Sequence, residues 1–266
     1  MSKAISIKLA AILACAACLL WLPVPWNWAG FAAVVTLTVA LIAWAVFDVS
    51  SSFWARTLWR APVATKAVAL TFDDGPDPEF TPRVLEILRE REVTATFFCV
   101  GARVREHPAL AKAIVEAGHT IGNHSDSHGM WINFSFKAKL AAEIAACNEA
   151  IQQATGKTPS LYRAPHGFKN PSLGDALKAA GMVAVGWQVR GFDAVVNDAA
   201  SIAQRIVEKA KPGGVILLHD GAGLQGSTDR KATLEALPVV IDGLKARGLE
   251  IAPLPQLLGV EPYSAD

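Results

Sequence analysis

Val68-Ala69-Leu70-Thr71-Phe72-Asp73-Asp74-Gly75-Pro76 is the stretch on which the fold turns. Five residues that suit a buried strand run into two carboxylates, and a Gly-Pro pair then turns the chain away. Four other segments repeat this design. His119-Thr120-Ile121-Gly122-Asn123 runs into His124-Ser125-Asp126-Ser127-His128, and Leu161-Tyr162 into Arg163-Ala164-Pro165-His166-Gly167. Val183-Ala184-Val185-Gly186-Trp187 leads toward Asp193, and Val215-Ile216-Leu217-Leu218 runs into His219-Asp220. Helical patterns lie between them, over residues 81–91, 108–117, 136–155, 172–180, 199–210 and 233–247, with a last strand near 249–253. Gly118, Gly181 and Gly248 follow three of these helices as C′ glycines should. Alternating strands and helices mean a parallel sheet, and about seven repeats favour a barrel over an open sheet. In such a barrel every strand's C-terminal end opens on one face. Two Asp, a His-x-x-x-His pair, an Arg and a further His would converge there, an inventory suited to a metal-dependent hydrolase.

The 266 residues carry a net charge of +1, which gives no bulk electrostatic case for a nucleic-acid partner. The apolar fraction of 52% owes its excess to the N-terminus, where residues 9–47 contain no Asp, Glu, Lys, Arg or His. Residues 1–48 read as a membrane region with two spans, about 5–22 and 30–47, each close to the ~20 residues that cross a hydrocarbon core. Pro23, Pro25 and Gly30 break the run, and Trp21, Trp26 and Trp28 fit an interfacial belt. The alternative is a cleaved signal peptide, with an apolar core over 9–20, followed by one anchor. Lys3 and Lys8 precede the first span and Arg56, Arg60 and Lys66 follow the second, so the positive-inside rule leans the domain to the cytoplasm. Only a single retained span would place it outside. Residues 49–64 read as a juxtamembrane helix or tether, and 65–266 as the catalytic domain. Cys99 and Cys147 suit buried positions, and the four Cys form neither a disulfide framework nor a zinc spacing.

His124 and His128, four apart, fit one side of a helical turn or tight loop, and imidazole is a common ligand for zinc and related metals. Two His and one carboxylate leave positions open for water and substrate, as in a catalytic metal site. Asp73 and Asp74 leave the strand in different directions. One can hold the metal while the other takes a proton from water, whose pKa a bound Zn²⁺ lowers to about 7. His219, ending an apolar strand, is placed to protonate a leaving amine or alkoxide. Taken singly, each has a bland reading: a solvated Asp-Asp turn, a surface His pair, a structural His.

Together these segments resemble the polysaccharide deacetylase family, also called the NodB-homology or carbohydrate esterase family 4 domain. The resemblance covers residues 66–253. Thr71-Phe72-Asp73-Asp74-Gly75-Pro76 resembles the first family motif, and Gly122-Asn123-His124-Ser125-Asp126-Ser127-His128 the second. It implies an α/β fold, a distorted (β/α)7-8 barrel behind the membrane hairpin. It also implies a divalent metal, Zn²⁺ foremost with Co²⁺ or another ion as alternative, held by Asp74, His124 and His128, with Asp73 as base. In Arg163-Ala164-Pro165-His166-Gly167 the Arg is expected to orient Asp73, and the backbone N–H of His166, where a Tyr is common, to bind the oxyanion. Leu217-Leu218-His219 implies an acyl-pocket wall at Leu217 and a general acid at His219. The fourth motif departs from the family. In Trp187-Gln188-Val189-Arg190-Gly191-Phe192-Asp193-Ala194, Asp193 matches the Asp that supports His219, but Arg190 replaces an Asp and Ala194 a Trp. Phe192 or Trp131 is a candidate for the missing aromatic surface. His119 and His166 are not ligands on this reading.

The expected function is removal of an N-acetyl or small acyl group from an amino sugar. The expected partners are a polymeric or lipid-linked carbohydrate and membrane lipid, with no obligate protein partner inferred. The alternatives are a deacetylase or deformylase of a polyprenyl-linked sugar, an O-acetyl polysaccharide esterase, and a non-catalytic glycan-binding protein of the same fold.

Overall fold

The computed structural model describes residues 3–221 and 229–264, so the outermost residues of the membrane-region and domain assignments lie outside it. Two antiparallel helices come first, α1 (Lys3–Trp21) and α2 (Trp26–Phe47), joined by a short turn. Each is long and apolar enough to cross a bilayer, with mean hydropathies of 2.2 and 2.3, and only Ala45 of the pair is buried. The break is tighter than the sequence suggested, because Pro25 caps α2 and Gly30 lies inside it. There, a Cβ on residue 30 would meet Cys18 Sγ of α1 at 3.0 Å.

The rest alternates strand and helix: β1 (Thr57–Leu58), β2 (Ala67–Asp73), α3 (Thr81–Glu90), β3 (Ala95–Cys99), α4 (Gly101–Glu106), α5 (Pro108–Glu116), β4 (Thr120–Asn123), α6 (Lys137–Thr155), β5 (Leu161–Tyr162) and α7 (Pro171–Ala179). Then come β6 (Val183–Val185), β7 (Val189–Arg190), α8 (Ala199–Lys209), β8 (Val215–His219), α9 (Lys231–Ala246), β9 (Glu250–Ile251) and α10 (Leu254–Leu258). The strands form one parallel sheet in the order β1-β6-β5-β4-β3-β2-β8-β7, with β9 added to the start of β2. The sheet curls into an incomplete barrel. Its seam is bridged where Ala61 N–H donates to Gly213 O and Val215 N–H to Trp59 O.

Strand β2 decides where the chemistry sits. Alternate side chains of a strand face opposite sides. Val68, Leu70 and Phe72 join the large core under the outer helices. Ala67 and Ala69 face the barrel interior, which Leu254, Leu257 and Leu258 of α10 plug from below. Thr71 and Asp73 continue that inner file, so the first carboxylate points into the barrel. In register, Asp73 pairs with His219 on one flank and Phe98 on the other, which aligns the strand ends.

Residues 49–64 are not a tether. They contribute β1, which pairs with β6, and Ser51, Ala55 and Thr57 are buried. The close approach explains two glycines. A Cβ on Gly174 would lie 2.0 Å from Trp54 O, and one on Gly186 would lie 2.6 Å from Val49 O. Lys169, itself buried, donates from Nζ to Val49 O at 3.0 Å and Ser51 O at 2.8 Å, fastening the exit of α2 to the barrel.

Candidate active site

The three residues at the head of the site arrive by strand ends whose geometry is locally enforced. Asp74 follows β2 with φ +77°, which swings its carboxylate away from that of Asp73. Gly75 is needed behind it, since a Cβ there would fall 2.3 Å from Asp220 Oδ2. His124 and His128 lie on a loop, not a helix, with Ser125 at φ +64° and His128 at φ +48°. Asn123 Oδ1 accepts from Ser125 N–H at 2.8 Å. Glu143 of α6 accepts from the N–H groups of Asp126 and Ser127 at 3.0 and 2.8 Å. These bonds hold the loop in a shape that hydrogen bonding of the chain alone would not maintain.

Asp74 Oδ1 lies 3.0 Å from His128 Nε2 and 3.3 Å from His124 Nε2, and all three residues are buried. That oxygen nevertheless accepts no well-aligned hydrogen bond. The three atoms converge on a common point, as ligands of one cation do, and all lie within 4.8 Å of one another. The tautomer fits as well. His124 Nδ1 sits 2.8 Å from Arg163 O, so it carries the proton and leaves Nε2 with its lone pair toward Asp74. Burial opposes ionisation of Asp74, but the two imidazoles outweigh it and hold the carboxyl well below the usual range. Burial likewise opposes charge on His124, and Asp73 and Asp74 overcome it to raise its pKa. The pocket calls for positive charge, and its donor set suits a divalent metal.

Two supporting pairs flank this cluster. Arg163, fully buried, donates from Nη1 to Asp73 Oδ1 and to Thr71 Oγ1, both at 2.7 Å. Its Nε and Nη2 donate to the carbonyls of Val185 and Gly186, and the guanidinium lies 4.1 Å over the Phe98 ring. Asp73 Oδ2 stays on the cluster side, 3.8 Å from His124 Nε2. On the other flank, Asp193 Oδ1 is 3.0 Å from His219 Nδ1, while its Oδ2 accepts from His219 N–H and Thr233 Oγ1. Burial works against a charged His219, yet Asp193 prevails and raises it to about 9.

Asp73, Asp74, His124, His128 and His219 border one cavity of about 600 Å³, walled also by Leu217, His166, Phe168, Trp187 and Phe192, with Arg163 and Asp193 behind its lining. Phe192 is therefore an aromatic wall, whereas Trp131 stands outside the cavity. Arg190 reaches the cavity rim, and its guanidinium and that of Arg205 lie 4.2 and 4.3 Å over the Phe192 ring. His166 has φ +58° and its ring is 5.0 Å from that of His128. His119 is remote from the site. It precedes β4, Ala95 N–H donates to its Nδ1, and burial lowers its pKa to about 4. Phe168 and Glu143 carry no motif that sequence reasoning could seize, and Asp220, just after β8, has no role assigned by it. Asp220 is buried against Thr81 Oγ1 at 2.5 Å, and burial pushes its carboxyl up to about 7.

Comparison with known proteins agrees with this arrangement. The family model described as polysaccharide deacetylase matches residues 60–185. The chain is 36% identical over 202 residues to a peptidoglycan-N-acetylglucosamine deacetylase of Bacillus cereus, covering 75% of this chain and 92% of that protein. It is 36% identical over 200 residues to a chitooligosaccharide deacetylase of Bradyrhizobium, covering 73% and 91%. A crystal structure of a peptidoglycan N-acetylglucosamine deacetylase superposes with a TM-score of 0.73 at 29% identity, over 78% of this chain and 95% of that one. With the strand-end constellation in place across the matched length, the chain belongs to the polysaccharide deacetylase family.

Proposed function

We propose that this protein is a membrane-anchored, metal-dependent hydrolase that removes an N-acetyl or small acyl group from an amino sugar. The observation that carries this is the placement of Asp73 and His219, in-register neighbours on β2 and β8, beside the Asp74–His124–His128 cluster in one cavity. Asp74, His124 and His128 would hold the metal, and the donor set favours Zn²⁺. That ion supplies a Lewis acid for the acyl carbonyl and for water.

The chain's own residues then divide the proton work. Arg163 occupies Asp73 Oδ1 and leaves Oδ2 to accept a proton from the attacking water. Water oxygen bonds to the acyl carbon as that proton moves to Asp73. The backbone N–H of His166 is assigned to the developing oxyanion. Asp193 holds His219 Nδ1, so Nε2 delivers its proton to the nitrogen as the C–N bond breaks. Leu217 walls the acyl methyl. Arg190 at the rim replaces the acidic residue usual in the family and sets which sugar substituents are accepted.

The hairpin of residues 1–48 serves as the membrane region, and the deacetylase domain takes in 49–64 as well as 65–266. Lys3 Nζ donates to Phe53 O at 2.9 Å, a contact that supports the hairpin's open end and the domain sharing one side. Lys3, Arg56 and Arg60 share that end, and the positive-inside rule assigns it to the cytoplasm.

The test is acetate release from N-acetylated chito-oligosaccharides by the full chain with Zn²⁺ or Co²⁺. Chelation should abolish release and metal should restore it; release indifferent to chelation would exclude the reading. A second expectation concerns pH. His219 donates only while protonated, so kcat should fall as pH rises through about 9. Asp193→Asn removes the charge that raises this pKa and should move the alkaline limb down by about one unit or more. An unmoved limb would separate His219 from the acid role.

A further inference from the structure

Residues 130–136, just beyond the His124–His128 loop, place large apolar side chains in water. Trp131 is 75% exposed and Phe136 88%, and Met130 and Phe134 are about half exposed. A contiguous exposed apolar patch of this kind marks an interaction surface. This one is not isolated from the membrane hairpin. Phe134 meets Phe168 at 6.0 Å, and Phe168 packs edge-on at 5.1 Å against Phe47, the last residue of α2. Trp131 in turn touches Phe134 at 5.9 Å. The joint is braced by hydrogen bonds. Lys169 N–H donates to Val46 O, and Asn133 Nδ2 donates to the Pro165 carbonyl at 2.6 Å.

The same joint leads straight to the chemistry. From Phe47 the rings run to Phe168, then to His166 at 5.9 Å, then to His128 at 5.0 Å. Met130 and Phe168 also wall the cavity. The mouth of the site thus lies three ring contacts from the end of a helix apolar enough to cross a bilayer.

We infer that residues 130–136 form an apron lying in the headgroup layer beside α2, so that the site takes its acylated amino sugar from a lipid carrier in the same membrane. The inference rests on the membrane-anchored deacetylase reading. Trp and Phe at the end of a span are the side chains that partition into this layer. The occupant is a lipid surface, because the patch continues the apolar face of α2 and carries no acidic residue between 129 and 136. A sugar on a membrane lipid is held in that layer and confined to two dimensions, which raises its concentration at the mouth.

The test uses the full chain in phosphatidylethanolamine–phosphatidylglycerol nanodiscs. A nitroxide is placed by Phe136→Cys in a Cys15→Ser/Cys18→Ser background, and its collisions with oxygen and with a water-soluble nickel chelate are compared. Oxygen should dominate. In parallel, Trp131→Ser/Phe136→Ser is assayed with an N-acetylglucosaminyl polyprenyl diphosphate in the disc and with soluble chito-oligosaccharide. Neither residue lines the cavity. The lipid-borne rate should drop about tenfold or more, with the soluble rate within about twofold and metal content unchanged. A nickel-accessible label, a label shielded from both reagents by a protein partner or second copy, or equal loss on both substrates would overturn the inference. A lipid-exposed label in a wild type that deacetylates neither substrate would instead count against the deacetylase reading, because the label reports without turnover.

Discussion

Asp73→Asn should lower kcat by about 10²–10⁴, the usual worth of a general base, with metal stoichiometry unchanged. The side chain keeps its size, and its amide oxygen can still accept from Arg163 Nη1, which is 2.7 Å from Oδ1 in the native site. What disappears is an oxygen able to hold a proton beside the Asp74–His124–His128 cluster. Metal content by elemental analysis and single-turnover acetate release separate this from simple loss of the ion. The contrast is with Asp74, whose Oδ1 is 3.0 and 3.3 Å from the two imidazole nitrogens. Equal loss of metal in Asp73→Asn would move Asp73 into the binding set, and undiminished turnover would remove it as base.

Arg163→Met should be the most damaging change to stability, at about 3–5 kcal/mol, because it strands a buried carboxylate. Asp73 is 3% exposed and Arg163 is fully buried, so water cannot replace the lost partner. The carbonyls of Val185 and Gly186 and the hydroxyl of Thr71 lose a donor in the same step. Methionine fills the space over Phe98 without supplying charge. Urea or thermal unfolding in detergent measures the effect. Adding Asp73→Asn to Arg163→Met removes the stranded charge and should recover part of the loss, a coupling that distant, independent sites would not show. Arg163→Lys should rescue less than the charge alone suggests, since an ammonium cannot span the fork that engages four acceptors. An additive double variant would mean that the pair contributes packing rather than electrostatics.

These two residues also illustrate how differently parts of the molecule could be read. Asp73, Asp74, His124 and His128 stand in short contiguous motifs at strand ends, and their chemistry is legible because parallel strands bring such ends to one face. Six of the domain's helices were similarly plain, three of them ending at Gly118, Gly181 and Gly248, which all take positive φ, whereas the short α4 and α10 were not read. The Arg163–Asp73 bond was legible only through the family resemblance. Its physical basis, the inner file of Thr71 and Asp73, requires knowing which face of β2 points inward.

Other features lay beyond any local reading. Strand β1 is two residues long, too short for periodicity, and exists because Ala184 and Val185 offer a sheet edge. Lys169 stands in no motif. It is buried because the chain leaving α2 brings two carbonyls to its ammonium, where burial lowers its pKa to about 8 despite the opposing pull of Asp48. Phe168 and Phe134 stand in no motif, and only the tertiary contacts show Phe168 packed between Phe47 and Phe134.

By itself, then, the order of residues determined the alternation of strand and helix, the apolar hairpin and the inventory of reactive groups, since each is encoded within a few neighbouring positions. The tertiary structure alone decided that the linker belongs to the barrel, that Arg163 and Lys169 are interior cations, and that the mouth of the site abuts the end of α2. Those features depend on pairings across about 90 to 130 residues, where no local propensity carries the information and only packing selects the partner.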